Sequence, residues 1–410
     1  MNIRQSVLTV SATDLANHLS CPHLTTLDLR LTRGEIAEPA WQNPHLRALQ
    51  QRGLEHEHAY IASLCARGLS IADLSQEPED TAADATWAAM QAGAQALIQA
   101  GLRNGSWRGR PDVLLRVERP SRLGNWSYEA VDCKLALETK AETILQLCLY
   151  SDLLSELQGL ETEFFHVIRP QVDFAPETYR FTAFAAYYRL VKSSLEAAVD
   201  SGPNGTYPEP VSHCDICRWW KGCDTQRRSD DHVSFVAGAS RLQREELAIQ
   251  GISTLECLAQ MPVPIPFRPS RGAPAGYIRI REQARIQLEA RTEGLLKFEM
   301  LRIEPNEGLF QLPAPSVGDI FLDFEGDPFV AEGGLEYLFG VIASEDGNLA
   351  YQSRWALNRT EERAAFEWLI DMVFERLAGS PDLHIYHFGS YEPGTIKRAN
   401  APLCDAGRPG

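Results

Sequence analysis

The sequence predicts a mixed α/β protein of two or three domains. Its 410 residues exceed what one hydrophobic core usually supports. Between residues 11 and 199, the patterns follow the order helix, hairpin, helix, strand, strand, helix, which is typical of a sheet covered by helices. A second series of strands with one helix follows residue 317. We therefore expect domains at residues 1–230, 231–312 and 313–410, the second being a helical linker.

Composition indicates an ordinary globular protein, with 44% hydrophobic and 23% charged residues. No apolar run reaches the roughly 18 residues of a membrane span. The N-terminal residues lack the apolar segment of a signal peptide, so we expect a cytoplasmic protein. The net charge of −16 opposes general attraction to nucleic acid, although a local groove of Arg and Lys can still bind phosphate.

The first elements are helical. Ser11 and Asp14 form a capping box in which Asp replaces the usual Glu or Gln, and Cys21-Pro-His interrupts the helix that follows. A second helix is predicted over residues 43–66. It carries His56, which by composition fits a charged, solvated helix face, and His58, which would face elsewhere. An alanine-rich surface helix is expected over residues 86–100.

The chemistry concentrates on a predicted β-hairpin. An apolar run opens at Asp112, turns at residues 119–125, and returns to Asp132 and Lys134. Antiparallel pairing would bring the two carboxylates together, with Lys134 on the same face as Asp132. Oxygen ligands of this kind suit Mg²⁺ or Mn²⁺, and Lys134 could activate water or stabilise charge on a phosphate. The alternative is a turn acid and a solvated strand end.

A strong helix is predicted over residues 138–157, after the hairpin. Its Gln146 and Tyr150 are four residues apart and share one face, where they could contact DNA and the lysine. The alternative is a half-buried pair in an amphipathic helix. Strands at residues 163–169 and 178–183 and a helix over residues 184–199 complete this region.

Cysteine spacing indicates a metal centre, because a cytosolic chain with nine cysteines favours metal binding over disulfides. The turn Cys214-x2-Cys217-x5-Cys223 offers three thiolates, one fewer than a tetrahedral site or a cubane requires. Cys21 can be the fourth. Thiolates alone do not distinguish a [4Fe–4S] cluster from Zn²⁺, for which His213 or His23 is also available.

Helices are predicted over residues 239–250 and 251–259, the second opened by the capping box Ser253-x-x-Glu256. The pair resembles a helix-hairpin-helix element, which would grip DNA backbone with Arg241 and Arg244 nearby, and a plain helical hairpin fits equally well. A proline-rich hinge and a basic helix over residues 278–291 follow.

A second acidic pair lies in the apolar strand around Asp323-x-Glu325, where alternation puts both carboxylates on one side. Strands at residues 337–344, 349–355 and 384–388 and a helix over residues 360–377 follow. The sequence has no clear later acidic motif. We expect this domain to be truncated, and inactive because two carboxylates rarely hold a metal pair.

Five motifs between residues 11 and 228 together resemble the RecB-like branch of the PD-(D/E)XK nucleases, in the iron–sulfur type that includes AddB and CRISPR-associated exonucleases. They are Gly53-x-x-His56-Glu57, Gly109-x-Pro111-Asp112, Asp132-x-Lys134, Gln146-x3-Tyr150 and the four cysteines. The resemblance implies a restriction-endonuclease-like core with a metal held by His56, Asp112 and Asp132 and with Lys134, Gln146 and Tyr150 as catalytic residues. It also implies a structural [4Fe–4S] cluster on Cys21, Cys214, Cys217 and Cys223. The Asp323-x-Glu325 strand resembles the first motif of DEDD-type exonucleases of the ribonuclease H-like fold.

The expected function is a Mg²⁺- or Mn²⁺-dependent deoxyribonuclease, an exonuclease on single-stranded ends in DNA repair or processing. No Walker A sequence is present, so ATP-driven movement would come from a helicase partner or a helicase domain missing from this chain. Two alternatives stay open. One is a non-catalytic DNA-binding module that partners a helicase, and the other is a zinc-stapled RNA-processing nuclease.

Overall fold

The computed structural model describes residues 1–397, apart from residues 5–6, 41–42, 137, 171–172, 204, 303, 307, 329, 331–333 and 346, and apart from the side chains of residues 4, 7 and 45. The chain forms two units, Met1–Glu299 and Met300–Gly410. No helix in the described ranges is both long enough and apolar enough to cross a membrane. The predicted division into three domains stays a prediction.

Strands and helices alternate in the first unit, as the sequence predicts. Its strands are β1 (Asn2–Arg4), β2 (Val7–Ser11), β3 (Ile71–Asp73), β4 (Ala96–Ile98), β5 (Leu102–Asn104), β6 (Trp107–Gly109), β7 (Val113–Val117), β8 (Ser127–Cys133), β9 (Phe164–Ile168) and β10 (Pro176–Arg180). Its α-helices are α1 (Ala12–Ser20), α2 (Pro22–Thr32), α3 (Pro44–Ala66), α4 (Ala82–Gln91), α5 (Ala141–Gln158), α6 (Phe181–Ser201), α7 (Trp220–Ser229), α8 (Arg241–Ile249), α9 (Leu255–Gln260) and α10 (Pro274–Glu293).

The predicted hairpin lies at the centre of a six-stranded mixed sheet with the order β10-β9-β8-β7-β4-β3. β8 is antiparallel to β7 and parallel to β9. Its residues are buried on both faces except at Cys133, as in a central strand. A smaller sheet has the order β1-β2-β6-β5. The mixed α/β class is therefore confirmed.

Helices cover both faces of β8. Tyr128 and Ala130 belong to the same core as Leu147 of α5, whereas Val131 packs with Tyr60 of α3. Because successive strand residues point to opposite faces, the even-numbered positions of β8 face α5. Asp132 therefore lies on the α5 side of the sheet.

The predicted helix over residues 86–100 is wrong in its second half. α4 ends at Gln91, Gly93 takes a left-handed conformation (φ +76°), and the buried strand β4 pairs with β3 and β7. Alanine-rich composition favours a helix. Here the glycine ends the helix, and burial in the sheet decides the conformation of residues 96–98.

The first predicted capping box is confirmed and the second is wrong. Asp14 N donates to Ser11 Oγ, and Ser11 N donates to Asp14 Oδ2 at 2.8 Å. At α9 the cap is Thr254 rather than Ser253, because Thr254 Oγ1 accepts from the Cys257 amide at 3.0 Å. The predicted interruption at Cys21 is real, since α1 ends there and α2 begins at Pro22.

The segment after residue 230 builds a second core in the first unit, in which Leu247, Leu258 and Tyr277 are buried. The predicted basic helix is present as α10, but its charge is largely paired. Arg285 alone makes ion pairs with Glu282, Glu289 and Glu299.

The second unit is a four-stranded mixed sheet with one covering helix in its described residues. It consists of β11 (Ile320–Asp327), β12 (Leu335–Glu345), β13 (Asn348–Trp355), α11 (Arg359–Gly379) and β14 (Ile385–Tyr386). The strand order is β13-β12-β11-β14, antiparallel except for β14, which runs parallel to β11. Phe366 and Leu369 of α11 share a core with Leu322 and Phe324. The predicted strands and helix are confirmed.

Candidate active site and cysteine cluster

The hairpin register brings the predicted acids together. Val113 pairs with Val131, so Asp112 and Asp132 lie opposite each other one position farther along. Asp132 is 1% exposed, and its Oδ2 atom forms an ion pair with Lys134 but has no further hydrogen-bond donor. Asp112 Oδ2 accepts from the Cys133 amide at 2.7 Å. The site thus holds two carboxylates and one ammonium group.

The electrostatics of this pair favour an added cation. Burial, and then the neighbouring Asp132 carboxylate, raise the pKa of Asp112 well above its usual range. Burial works against the charge of Lys134, but the Asp132 carboxylate outweighs it, and the pKa of Lys134 is raised. A buried carboxylate oxygen whose one neighbour of opposite charge is an ammonium group can also bind a hard divalent cation such as Mg²⁺ or Mn²⁺.

Glu57 and Gln99 are site residues that the sequence analysis did not assign. Gln99 Nε2 donates to Glu57 Oε1 at 2.6 Å and lies 3.5 Å from Asp112 Oδ1. Gln99 has a positive φ of 51°, which is unfavourable for a residue with a side chain. Glu57 belongs to the motif Gly53-x-x-His56-Glu57, so the sequence gives a signal for it. The strained backbone of Gln99 leaves no signal in the sequence.

His56 and His58 point to different surroundings, as their spacing predicts. His56 is half-buried, and its Nε2 atom donates to the Ile168 carbonyl at 3.2 Å. The same carbonyl accepts from the Lys134 amide at 2.9 Å, so His56 lies beside the site. His58 is exposed. Metal ligation by His56 stays a prediction.

The predicted pair on α5 is joined by a hydrogen bond, and its Tyr150 lies close to the acids. Gln146 Nε2 donates to the Tyr150 hydroxyl at 2.8 Å. Burial, and next the charge of the nearby Asp132 carboxylate, raise the pKa of Tyr150. A side chain at Gly109 would put its Cβ atom 2.6 Å from the Tyr150 ring, so this glycine allows the ring to approach. Catalytic roles for the pair stay predictions.

The four predicted cysteines line one cavity, together with His23 and His213. Burial raises the pKa of the Cys21 thiol, and that of Cys223 to about 11, with neighbouring thiols adding to each effect. Backbone amides donate to two of the sulfurs, Val211 N to Cys214 and Trp219 N to Cys217, each at 3.4 Å. Such donors stabilise thiolates in metal centres.

Hydrogen bonds that involve no cysteine hold the turn between Cys214 and Cys223, the cysteine turn, against helix α2. Asp28 Oδ1 accepts from Arg218 at 2.7 Å and from the Trp219 indole at 3.0 Å. In the described part of the chain, no three His, Cys, Asp or Glu side chains are arranged to hold a metal ion as they stand. The assignment of both candidate metal sites therefore depends on how close their side chains lie to each other and on the donor atoms that those side chains offer.

The second unit carries acids on the open face of β11. Burial alternates along this strand, so Asp323 and Glu325 are exposed on the side away from α11. Glu392, in the helical residues 391–397, was not singled out from the sequence. It is 3% exposed, its Oε2 atom has no hydrogen-bond donor, and His387 Nδ1 lies 3.7 Å away.

Comparison with known proteins assigns only the second unit. A family model of the RNase_H superfamily matches residues 320–404. No curated protein matches the chain. The match agrees with the sheet order and with the acid-bearing strand β11, whereas residues 1–319 gain no assignment from it. The C-terminal part of this chain is therefore ribonuclease H-like.

Proposed function

We propose that the first unit is a metal-dependent nuclease that cleaves DNA from single-stranded ends. The proposal rests on the hairpin register, which sets Asp112 opposite Asp132 while Lys134 pairs with Asp132. Phosphodiester hydrolysis needs a cation between carboxylates and a positive group near the developing charge, and these residues supply both requirements. The ribonuclease H-like match suggests nuclease-type activity for the chain on independent grounds.

Asp112 and Asp132 would hold Mg²⁺ or Mn²⁺, with His56 and Glu57 at the margin of the site. Such a cation, when bound, polarises the phosphate and lowers the pKa of a water molecule. Lys134, fixed by its ion pair with Asp132, would orient the attacking water or offset negative charge on the phosphate.

Gln146 and Tyr150 would position the substrate. Their hydrogen bond fixes the amide and the phenol relative to each other, and the buried Tyr150 ring is held against Gly109. An ordered pair of this kind can direct a phosphate or a base towards the acids without taking part in bond breaking.

We propose a structural role for the four cysteines, as ligands of a [4Fe–4S] cluster or of Zn²⁺. Cys21 lies between α1 and α2, and the other three lie almost two hundred residues later, so a shared metal would join distant parts of the first unit. The fit rests on four thiols around one cavity and on the amide donors to Cys214 and Cys217. Anaerobic purification with iron and zinc analysis tests which metal is bound.

The test of activity uses anaerobically purified protein and end-labelled DNA and RNA strands with Mg²⁺ or Mn²⁺. We expect cleavage of single-stranded DNA that EDTA abolishes. Cleavage of RNA alone would favour the RNA-processing alternative. Tight DNA binding without cleavage would favour a binding module that partners a helicase.

The ribonuclease H-like unit is the second candidate for the cleavage site. Asp323 and Glu325 are exposed together on β11, and Glu392 is a buried acid with an unsatisfied oxygen. A double substitution, Asp323→Ala with Glu325→Ala, separates the two candidates. Loss of cleavage in this variant would assign activity to the second unit.

A further inference from the structure

A cavity of about 430 Å³ lies in the first unit, bounded by β2, β5, β6, α5 and the start of α4. This volume is within the range of sites that bind small molecules. The cavity is distinct from the one lined by the cysteines. We call it the arginine cavity, because its wall includes Arg103, Arg108 and Arg110.

The arginine cavity adjoins the proposed active site. Gln146 and Tyr150 line it, and Tyr150 lies close to the acid pair. Arg110 also lines it and precedes Asp112 by two residues. A strand held with one phosphate at the acids would therefore place a neighbouring nucleotide in or beside this cavity.

The charge of the cavity is unusual for a chain with a net charge of −16. The Arg110 guanidinium donates to the carbonyls of Gln99, Leu74 and Ser75, and no carboxylate in the described residues lies within ion-pair distance of it. Arg103 is exposed and likewise has no ion pair within the described ranges. Planar guanidinium groups suit phosphate oxygens.

Two acids offset part of this charge. Glu79 and Asp80 line the cavity, and Glu79 forms an ion pair with Arg108. Both partners are partly exposed, at 27% for the Arg108 side chain and 44% for Glu79, so solvent screens the pair and a phosphate could replace the carboxylate. Arg108 would then bind an anion only after Glu79 has moved.

We propose that the arginine cavity binds one nucleotide of a single-stranded substrate, with Arg103 and Arg110 contacting its phosphate and Glu79 competing for Arg108. The inference rests on the proposed function, because it treats the cavity as part of the substrate path of the nuclease. A base inside the cavity must be unstacked and unpaired, which a single strand allows without the cost of melting a duplex.

The test measures binding without catalysis, because EDTA removes the divalent cations. The probes are fluorescently labelled oligothymidylate and oligouridylate of ten nucleotides each, and the readout is fluorescence anisotropy. Arg103→Gln should weaken binding about fivefold to tenfold. It should also reduce the slope of log affinity against log salt concentration by about one, as expected for the loss of one phosphate contact. Ala83→Trp, which places an indole in the cavity, should weaken binding as well. Glu79→Gln should strengthen binding, a gain that damage to the fold would not produce.

Arg189→Gln is the matched control, because Arg189 is exposed on α6 and does not line the cavity. It should bind as the wild type does. Tighter binding of oligothymidylate supports a deoxynucleotide subsite, and tighter binding of oligouridylate supports a ribonucleotide subsite. Unchanged binding and salt dependence in Arg103→Gln, with unchanged binding in Ala83→Trp, would overturn the proposal.

The two proposals fail separately. If the protein never cleaves, yet the Arg103 and Ala83 variants bind more weakly, the proposal of a nucleotide subsite stands and the proposal of a nuclease is refuted. If cleavage depends on Asp132, yet the Arg103 and Ala83 variants bind normally, the proposal of a nuclease stands and the proposal of a nucleotide subsite is refuted. Thermal unfolding of each variant confirms that the fold is intact.

Discussion

Replacing Asp132 with Asn should slow cleavage strongly without a large loss of stability. The side chain is 1% exposed and faces Asp112, so the amide keeps the shape and removes one of two crowded negative charges. Relief of that repulsion opposes the loss of the ion pair with Lys134, whose side chain is 31% exposed. We therefore expect the free energy of unfolding to fall by less than the roughly 3–5 kcal/mol that breaking a fully buried pair costs. A large fall in stability would show that the charge is structural.

The expected loss of activity is much larger. Weakening a metal ligand removes several kcal/mol of charge stabilisation in the transition state. At 1.36 kcal/mol for each factor of ten, a loss of about 3–4 kcal/mol slows cleavage roughly 10²- to 10³-fold. The assay is single-turnover cleavage of an end-labelled DNA strand with Mn²⁺, beside thermal unfolding of the same preparation.

Glu129→Gln is the control on the same strand. Glu129 is 7% exposed, and its Oε2 atom accepts from His166 Nε2 at 2.9 Å, at a position of β8 that faces away from Asp132. Its loss should lower stability by about 1–2 kcal/mol and leave the rate of cleavage nearly unchanged. Cleavage by Asp132→Asn within tenfold of the wild-type rate would refute the assignment of this site.

Three further outcomes are expected. Cys21→Ser should lower metal content and melting temperature together, because metal-binding energy becomes folding energy, and a fully folded variant that keeps its metal would contradict this. Gln99→Ala should reduce cleavage or metal affinity by roughly tenfold to a hundredfold, because its amide donates to an acid at the site, and wild-type kinetics would argue against that role. The double variant Asp323→Ala with Glu325→Ala should cleave DNA at the wild-type rate. Loss of its activity while Asp132→Asn stays active would move the active site to the ribonuclease H-like unit.

Much of the fold could be predicted because local pattern and tertiary burial agree. The hairpin around Asp112 and Asp132 is bounded by turn residues, and the apolar pattern of its strands together with the length of the turn sets its register. The pattern failed at residues 96–98, where an alanine-rich segment becomes a strand after Gly93. Composition favoured a helix there, and burial between two neighbouring strands outweighed it.

The candidate site was predictable only where a motif carried it. The acid pair and Lys134 follow from spacing along two strands. The contact between Glu57 and Gln99 depends on a backbone conformation of Gln99 that no composition signals. Glu392 stayed unassigned because a single acid in a short helix has no pattern, and only its burial distinguishes it.

The hydrogen bonds between Asp28 and the cysteine turn have a consequence for how the proposed metal centre would be loaded. Arg218 and Trp219 fix this turn to α2 through hydrogen bonds that involve no sulfur. These hydrogen bonds hold the turn beside α2 without help from the sulfurs, so the metal centre that we propose could be filled after the chain has folded. If that proposed centre loses its metal to oxygen or to a chelator, the same hydrogen bonds would still hold the turn in place for a new metal.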